Sequence, residues 1–144
     1  MSQEHVEIVR RSLEVATEAI NHGDDPIARL FEQGIFAQEC RFIPPQGIPG
    51  GKPFVGQEEI SDWYRTWTEE FVDYRWSPEK VIDAGDDRVV AVVRQSAKGR
   101  ESGAAVELRA GFAYTLGGGK IVEVVNYADP REALRSRGAV GVAR

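Results

Sequence analysis

Cysteine is nearly absent: Cys40 is the only one in 144 residues, which excludes an intrachain disulfide and any zinc site built from several cysteines. Histidine is almost as scarce. His5 lies at a helix start and His22 in a Gly-Asp turn, with no carboxylate spacing that suggests a metal, so neither metal nor cofactor is expected. Eighteen apolar residues never run together, and the opening stretch MSQEHVEIVRRSLEVA is charged throughout, without the apolar core of a signal peptide. The expectation is a cytoplasmic protein with no membrane partner. A basic excess is missing as well. Eighteen Lys plus Arg against 23 Asp plus Glu leave a net charge of −5, which argues against nucleic acid as a partner.

What is present fits one globular domain over residues 1–144, with an ordered core at about 3–138. A composition of 42% hydrophobic and 28% charged residues is too apolar for intrinsic disorder. A chain of this length buries roughly two thirds of its extended surface, enough for one core.

Val6, Val9, Leu13, Ala16 and Ile20 recur at three- and four-residue spacing, so an amphipathic helix is predicted over 3–22, closed by Gly23. Asp25-Pro26 reads as an N-cap followed by proline at the first helical position of a short helix that stops near Gly34. A strand follows over 35–43. Prolines and glycines then crowd residues 44–56 into a loop. A second long helix is predicted over 57–72, with Ile60, Tyr64, Trp67 and Phe71 on one face and Trp63 at its flank. Four strands at 74–84, 88–98, 104–116 and 120–128 come next, joined by short polar turns that suit antiparallel neighbours. Gly117-Gly118-Gly119-Lys120 lacks the other residues of a P-loop and reads as a hairpin turn. A last helix starts at Asp129, which serves as its cap rather than as a catalytic acid, and frays after Gly138. Helices first and a strand meander afterwards give an α+β domain. Three helices pack on one face of a strongly curved, mostly antiparallel sheet, with a short C-terminal helix added.

Strand parity points to a cavity. Val106, Leu108, Ala110, Phe112, Tyr114 and Leu116 alternate with Glu107, Arg109 and Thr115, which sends the first set toward the helices. On strand 88–98 the better inner face is Val89, Ala91, Val93 and Gln95, and on the last strand it is Val122, Val124 and Asn126. Gln95 and Asn126 are polar against an apolar wall, and a buried carboxamide left unpaired costs about 1–3 kcal/mol. Asn126 is therefore a structural tie or a ligand contact. Outward-facing Val90, Val92, Ile121, Val125 and Tyr127 form an apolar strip, from which a homodimer through the outer sheet face is expected.

The N-terminal helix ending in Gly23-Asp24, the strand ending Phe42-Ile43-Pro44 and the Gly56-Gln57-Glu58-Glu59-Ile60 helix start carry a resemblance. With the Asp83-Ala84-Gly85-Asp86 turn and the Gly119-Lys120-Ile121-Val122 hairpin, the chain resembles the SnoaL-like branch of the nuclear transport factor 2-like superfamily over about residues 3–138. That resemblance implies a cone-shaped α+β barrel whose open end admits a hydrophobic small molecule. Relatives of this kind include ketosteroid isomerase, polyketide cyclases and limonene epoxide hydrolase, as well as members that bind without catalysis. Their acid and base positions are replaced here. Ile43 stands where the isomerase has its general base and Ala16 where it has its oxyanion-hole tyrosine; Asn126 aligns with the late acidic residue of the cyclase and the hydrolase. Phe112 stands in for the cyclase's histidine, and Arg94 lacks the hydrolase's partner acid because that place holds Ser96.

The sequence thus predicts a small hydrophobic molecule, bearing a carbonyl or hydroxyl, bound in an apolar cone. The predicted lining is Phe42, Trp63, Tyr64, Trp67, Gln95, Phe112, Tyr114 and Asn126. Trp67 and Phe71 also suit plain core, and Tyr114 suits either a ligand oxygen or a backbone carbonyl. The alternative is a cofactor-free isomerase, cyclase or hydrolase of polyketide-, steroid- or terpenoid-like substrates. In it Tyr114, or a water held by Asn126, would handle the proton. A third reading is a structural or interaction module whose dimer face is the functional surface, which the apolar outer strip permits and a solid, ligand-free cone would favour. Cys40 reads as a buried inert thiol.

Overall fold

A computed structural model describes residues 2–45 and 52–135. The elements are α1 (Ser2–Asn21), α2 (Pro26–Glu32), β1 (Phe36–Ile43), β2 (Phe54–Val55), α3 (Gly56–Thr68), β3 (Phe71–Gly85), β4 (Arg88–Gly99), β5 (Ala105–Gly117) and β6 (Lys120–Tyr127). A fourth helix, α4, occupies 130–135. Part of the 44–56 loop and the end of the C-terminal helix at Gly138 lie outside the described residues.

The six strands form one mixed, open sheet in the order β2-β1-β6-β5-β4-β3. Only β1 and β6 run parallel; every other neighbouring pair is antiparallel. The inner face carries the main core. Val9, Leu13 and Ala16 of α1, Leu30 of α2 and Ile60 of α3 meet Val89, Ala91, Val93, Phe112 and Tyr114 from the sheet. This is the expected α+β architecture.

Local chemistry ties the helices down. Asp25 Oδ1 accepts from the Ile27 and Ala28 amides at 2.9 and 3.3 Å, capping α2, while its Oδ2 accepts from Ser61 Oγ of α3 at 3.1 Å. One carboxylate therefore sets the spacing of two helices. At the end of α1, Asn21 Oδ1 accepts from the Trp76 amide at 3.1 Å and the Asn21 carbonyl accepts from Arg75 at 2.7 Å. These bonds bring the start of β3 against α1.

Three expectations need correction. Phe71 and Val72 belong to β3, not to the preceding helix, because they pair with Gly99 and Lys98 across the sheet. A contact nearly thirty residues away overrides the local helical period. Phe54 and Val55 form a short strand on β1 inside the expected loop. On β6, Ile121 points into the main core and Val122 does not, since an irregularity between Thr115 and Leu116 shifts the pairing by one residue there. Val124 and Asn126 keep the expected face, opposite Tyr114 and Phe112.

The outer face is covered in part by the chain itself. Ala133 of α4 clusters with Ala84, Val90 and Ala113, and Val125 and Tyr127 pack against them. A methyl group added at Gly111 would meet Ala133 Cβ at 2.8 Å and Pro130 Cα at 2.9 Å, so α4 sits on the sheet only because residue 111 has no side chain. Of the strip expected to be free, Val90, Val92 and Ile121 are buried, and Val125 and Tyr127 are half-buried.

Candidate functional site

The aromatic spacing of α3 places Trp63 and Trp67 one turn apart on the helix, and their rings stack at 6.0 Å with planes 6° apart. Phe42 of β1 closes on Trp63 at 5.0 Å. Across the space between helices and sheet, Trp76 of β3 meets Phe112 of β5 at 5.3 Å. These rings, with aliphatic side chains of α1 and α2, enclose a cavity of about 330 Å³. Leu108, 40% exposed, is part of its lining and marks where the wall reaches the surface.

All eight residues named from the sequence line this cavity: Phe42, Trp63, Tyr64, Trp67, Gln95, Phe112, Tyr114 and Asn126. Trp67 is thus more than core, whereas Phe71, its ring 5.1 Å from that of Trp67, is not among the lining residues. Sequence reasoning missed Ser12, Tyr74 and Trp76. Ser12 lies four residues before Ala16, on the buried stripe of α1, and the i, i+2 pair Tyr74 and Trp76 is the alternation that parity reading of β3 would find.

The polar atoms have distinct fates. Tyr114 is buried, and its hydroxyl shares a hydrogen bond with Ser12. Tyr74 Oη accepts from Trp76 Nε1 at 2.9 Å and from Trp67 Nε1 at 3.3 Å, and donates to Gln95 Oε1 at 2.6 Å. Tyr64 Oη has no hydrogen-bond partner among the described residues. Asn126 is half-buried, and its Oδ1 is sealed from solvent with no hydrogen-bond partner among the described residues.

Burial pushes the hydroxyls of Tyr64, Tyr74 and Tyr114 above the ordinary tyrosine value of 10.0. Hydrogen bonds from Trp76 and Trp67 oppose this at Tyr74, and the one with Ser12 opposes it at Tyr114. All three are neutral near pH 7. Among the described residues that line the cavity there is no Asp, Glu, His or Cys; Arg109 is the one charged residue, and it is paired with Glu79.

The other expected candidates lie outside. Cys40 is buried, and burial, reinforced by Glu123 and Glu39, pushes its thiol up to about 12. His22 Nδ1 sits 2.7 Å from the Glu18 carbonyl, and His5 Nδ1 is 3.7 Å from Asp87. Asp129 accepts from the Arg131 amide at 2.9 Å, the cap expected at the start of α4. Arg94 pairs with Glu107 at 3.3 Å on the outer face. No group of three or more metal-ligating side chains occurs among the described residues, and none of their helices is long and apolar enough to cross a membrane.

The family model of the SnoaL-like domain matches residues 13–124, which include β1, α3, β3, β4, β5 and most of β6. The chain belongs to the SnoaL-like domain family. No curated protein matches its sequence. Solved structures share the SnoaL-like fold at low identity. One is titled a putative SnoaL-like polyketide cyclase from Jannaschia sp. CCS1, 19% identical with a TM-score of 0.71 over 94% of this chain and 91% of that one. Another is titled a putative isomerase from Bacillus subtilis, 16% identical with a TM-score of 0.71 over 94% and 95% of the two chains. A third is TerC, co-crystallised with polyporic acid, 17% identical with a TM-score of 0.69 over 88% and 97%.

Proposed function

We propose that this SnoaL-like protein binds a small, neutral, largely apolar metabolite in the cavity between α3 and the sheet. The observation that carries the reading is the chemistry of the wall: aromatic and aliphatic side chains around about 330 Å³, with no carboxylate, imidazole or thiol among the described lining residues. That volume suits a molecule of two or three fused rings, near the lower end of small-molecule sites. A charged ligand would lose its hydration with little to replace it. Polar selectivity then falls to Gln95, Tyr64 and Asn126. The occluded Asn126 oxygen stands to gain a partner when its side chain turns toward a ligand hydroxyl or amide, which relieves about 1–3 kcal/mol.

The test is calorimetric binding of a panel of steroids, aromatic polyketides and terpenoids to the purified protein. Affinities tighter than millimolar for at least one class are expected, weakened about tenfold or more by Asn126→Leu for ligands with a hydroxyl and little changed for pure hydrocarbons. Absence of binding across the panel refutes the reading.

A catalytic reading draws support from the cyclase and isomerase titles of structural neighbours. In it, the neutral Tyr114 hydroxyl or a water held by Asn126 carries a proton in a cofactor-free isomerisation, cyclisation or hydrolysis. Turnover that persists in both Tyr114→Phe and Asn126→Ala would reject those roles.

A further inference from the structure

Amide orientation at Gln95 is settled by counting donors and acceptors. An indole N–H only donates, and a phenol oxygen has two lone pairs and one proton. Trp76 Nε1 and Trp67 Nε1 both point at Tyr74 Oη, at 2.9 and 3.3 Å, and together they use its two lone pairs. The phenol proton must therefore go elsewhere. Its acceptor lies 2.6 Å away at Gln95. If the Gln95 amide were turned over, its NH2 would face an oxygen with no lone pair left and the phenol proton would have no acceptor, so Oε1 faces Tyr74 and Nε2 does not. Gln95 is 5% exposed and lines the cavity, and its Nε2 has no hydrogen-bond partner among the described residues.

We propose that Trp67, Trp76 and Tyr74 act as positioning residues that lock Gln95 as a donor, making this point of the cavity selective for a ligand carbonyl over a ligand hydroxyl. The proposal rests on the reading that the cavity binds small apolar molecules, and deepens it by naming the group recognised. A ketone oxygen accepts from Gln95 Nε2 and leaves nothing unpaired. An alcohol oxygen also accepts from Nε2, but its own proton then finds no acceptor at Gln95, because Oε1 is already engaged. Locking the amide in advance removes the ordering cost from the binding step.

Three bicyclic probes of one size separate the possibilities: the ketone tetralone, the corresponding alcohol tetralol and the parent hydrocarbon tetralin, each titrated calorimetrically into the intact protein. The ratio is read in Asn126→Leu protein, where the Asn126 oxygen can no longer take the alcohol proton, and there tetralone is expected to bind at least about fivefold more tightly than tetralol. When Gln95→Leu or Tyr74→Phe is added to that protein, the ratio should fall to about twofold or less while tetralin keeps its affinity. A merely structural role for Tyr74 would instead weaken all three probes together and leave the ratio intact. Thermal melts of both variants check that they remain folded, and Gln95→Leu retains the Tyr74 acceptor for both indoles. If tetralin and tetralone bind but the Asn126→Leu protein does not favour the ketone, or if the preference survives when Gln95→Leu or Tyr74→Phe is added to it, the donor lock is wrong and the apolar cavity stands. If none of the three probes binds, the cavity reading itself fails.

Discussion

Cys40 and Tyr114 show how burial alone fixes a chemical state. Both are acids whose charged forms are disfavoured inside the fold, so their folded pKa values lie above the ordinary 9.0 and 10.0. The sign follows directly: an unfolded chain releases these protons earlier, so folded stability is full below pH 9 and declines as pH rises above it. Each group contributes a slope of about 1.4 kcal/mol per pH unit, Cys40 between 9.0 and about 12 and Tyr114 from 10.0 upward. Urea denaturation from pH 8 to 11 should show a midpoint that drops above pH 9, with the drop reduced in Cys40→Ala. Alkylation of Cys40 at neutral pH should proceed only after unfolding. The buried, inert thiol was legible in the sequence because no basic neighbour stood at a catalytic spacing. The Ser12 partner of Tyr114 was not, since it comes from a helix about a hundred residues away.

Among elements, the contact of α4 with the sheet depends on one missing side chain. Gly111→Ala would put a methyl group within 3 Å of Ala133 Cβ and the Pro130 backbone, which cannot yield as a flexible side-chain tip can. The expected outcome is a loss of about 1–3 kcal/mol, or release of α4 seen as faster proteolysis near residue 130. Ala133→Gly combined with Gly111→Ala should recover part of the loss, because it removes one of the two clashing groups. All strands but β2, and the helix starts, were readable from period and capping residues: Asp25 and Asp129 cap where expected. The end of α3 was not. Phe71 continues the helical spacing of Ile60, Tyr64 and Trp67, yet Asp73 adopts a φ of 56° just beyond it and β4 captures the segment. Non-local hydrogen bonds decide such boundaries, and no local pattern reports them.

For the molecule as a whole, the cavity exists because small residues sit where larger ones would fill it. Ala16 and Ala110 both line it. Ala110→Leu should fill part of the space, raising stability by about 0.5–2 kcal/mol if the leucine fits without strain, and weakening tetralin binding at least tenfold. Unchanged affinity would place the ligand elsewhere. The homodimer expected from the sequence remains a proposal with less apolar surface behind it, since α4 covers part of the outer face. Sedimentation at micromolar protein, with dimer as the supporting result and monomer as the refuting one, tests it.

Periodicity, capping residues and parity in this sequence determined the helices, five of the six strands and the inward set of β5. These are local properties, carried by residues a few positions apart. Only the tertiary structure decided that Ile121 faces inward, that α4 covers the outer face, and that Tyr74 turns the Gln95 amide. Each of those depends on which distant atoms come within hydrogen-bond or van der Waals reach, and the chain determines that distance only when the sheet has closed over the helices.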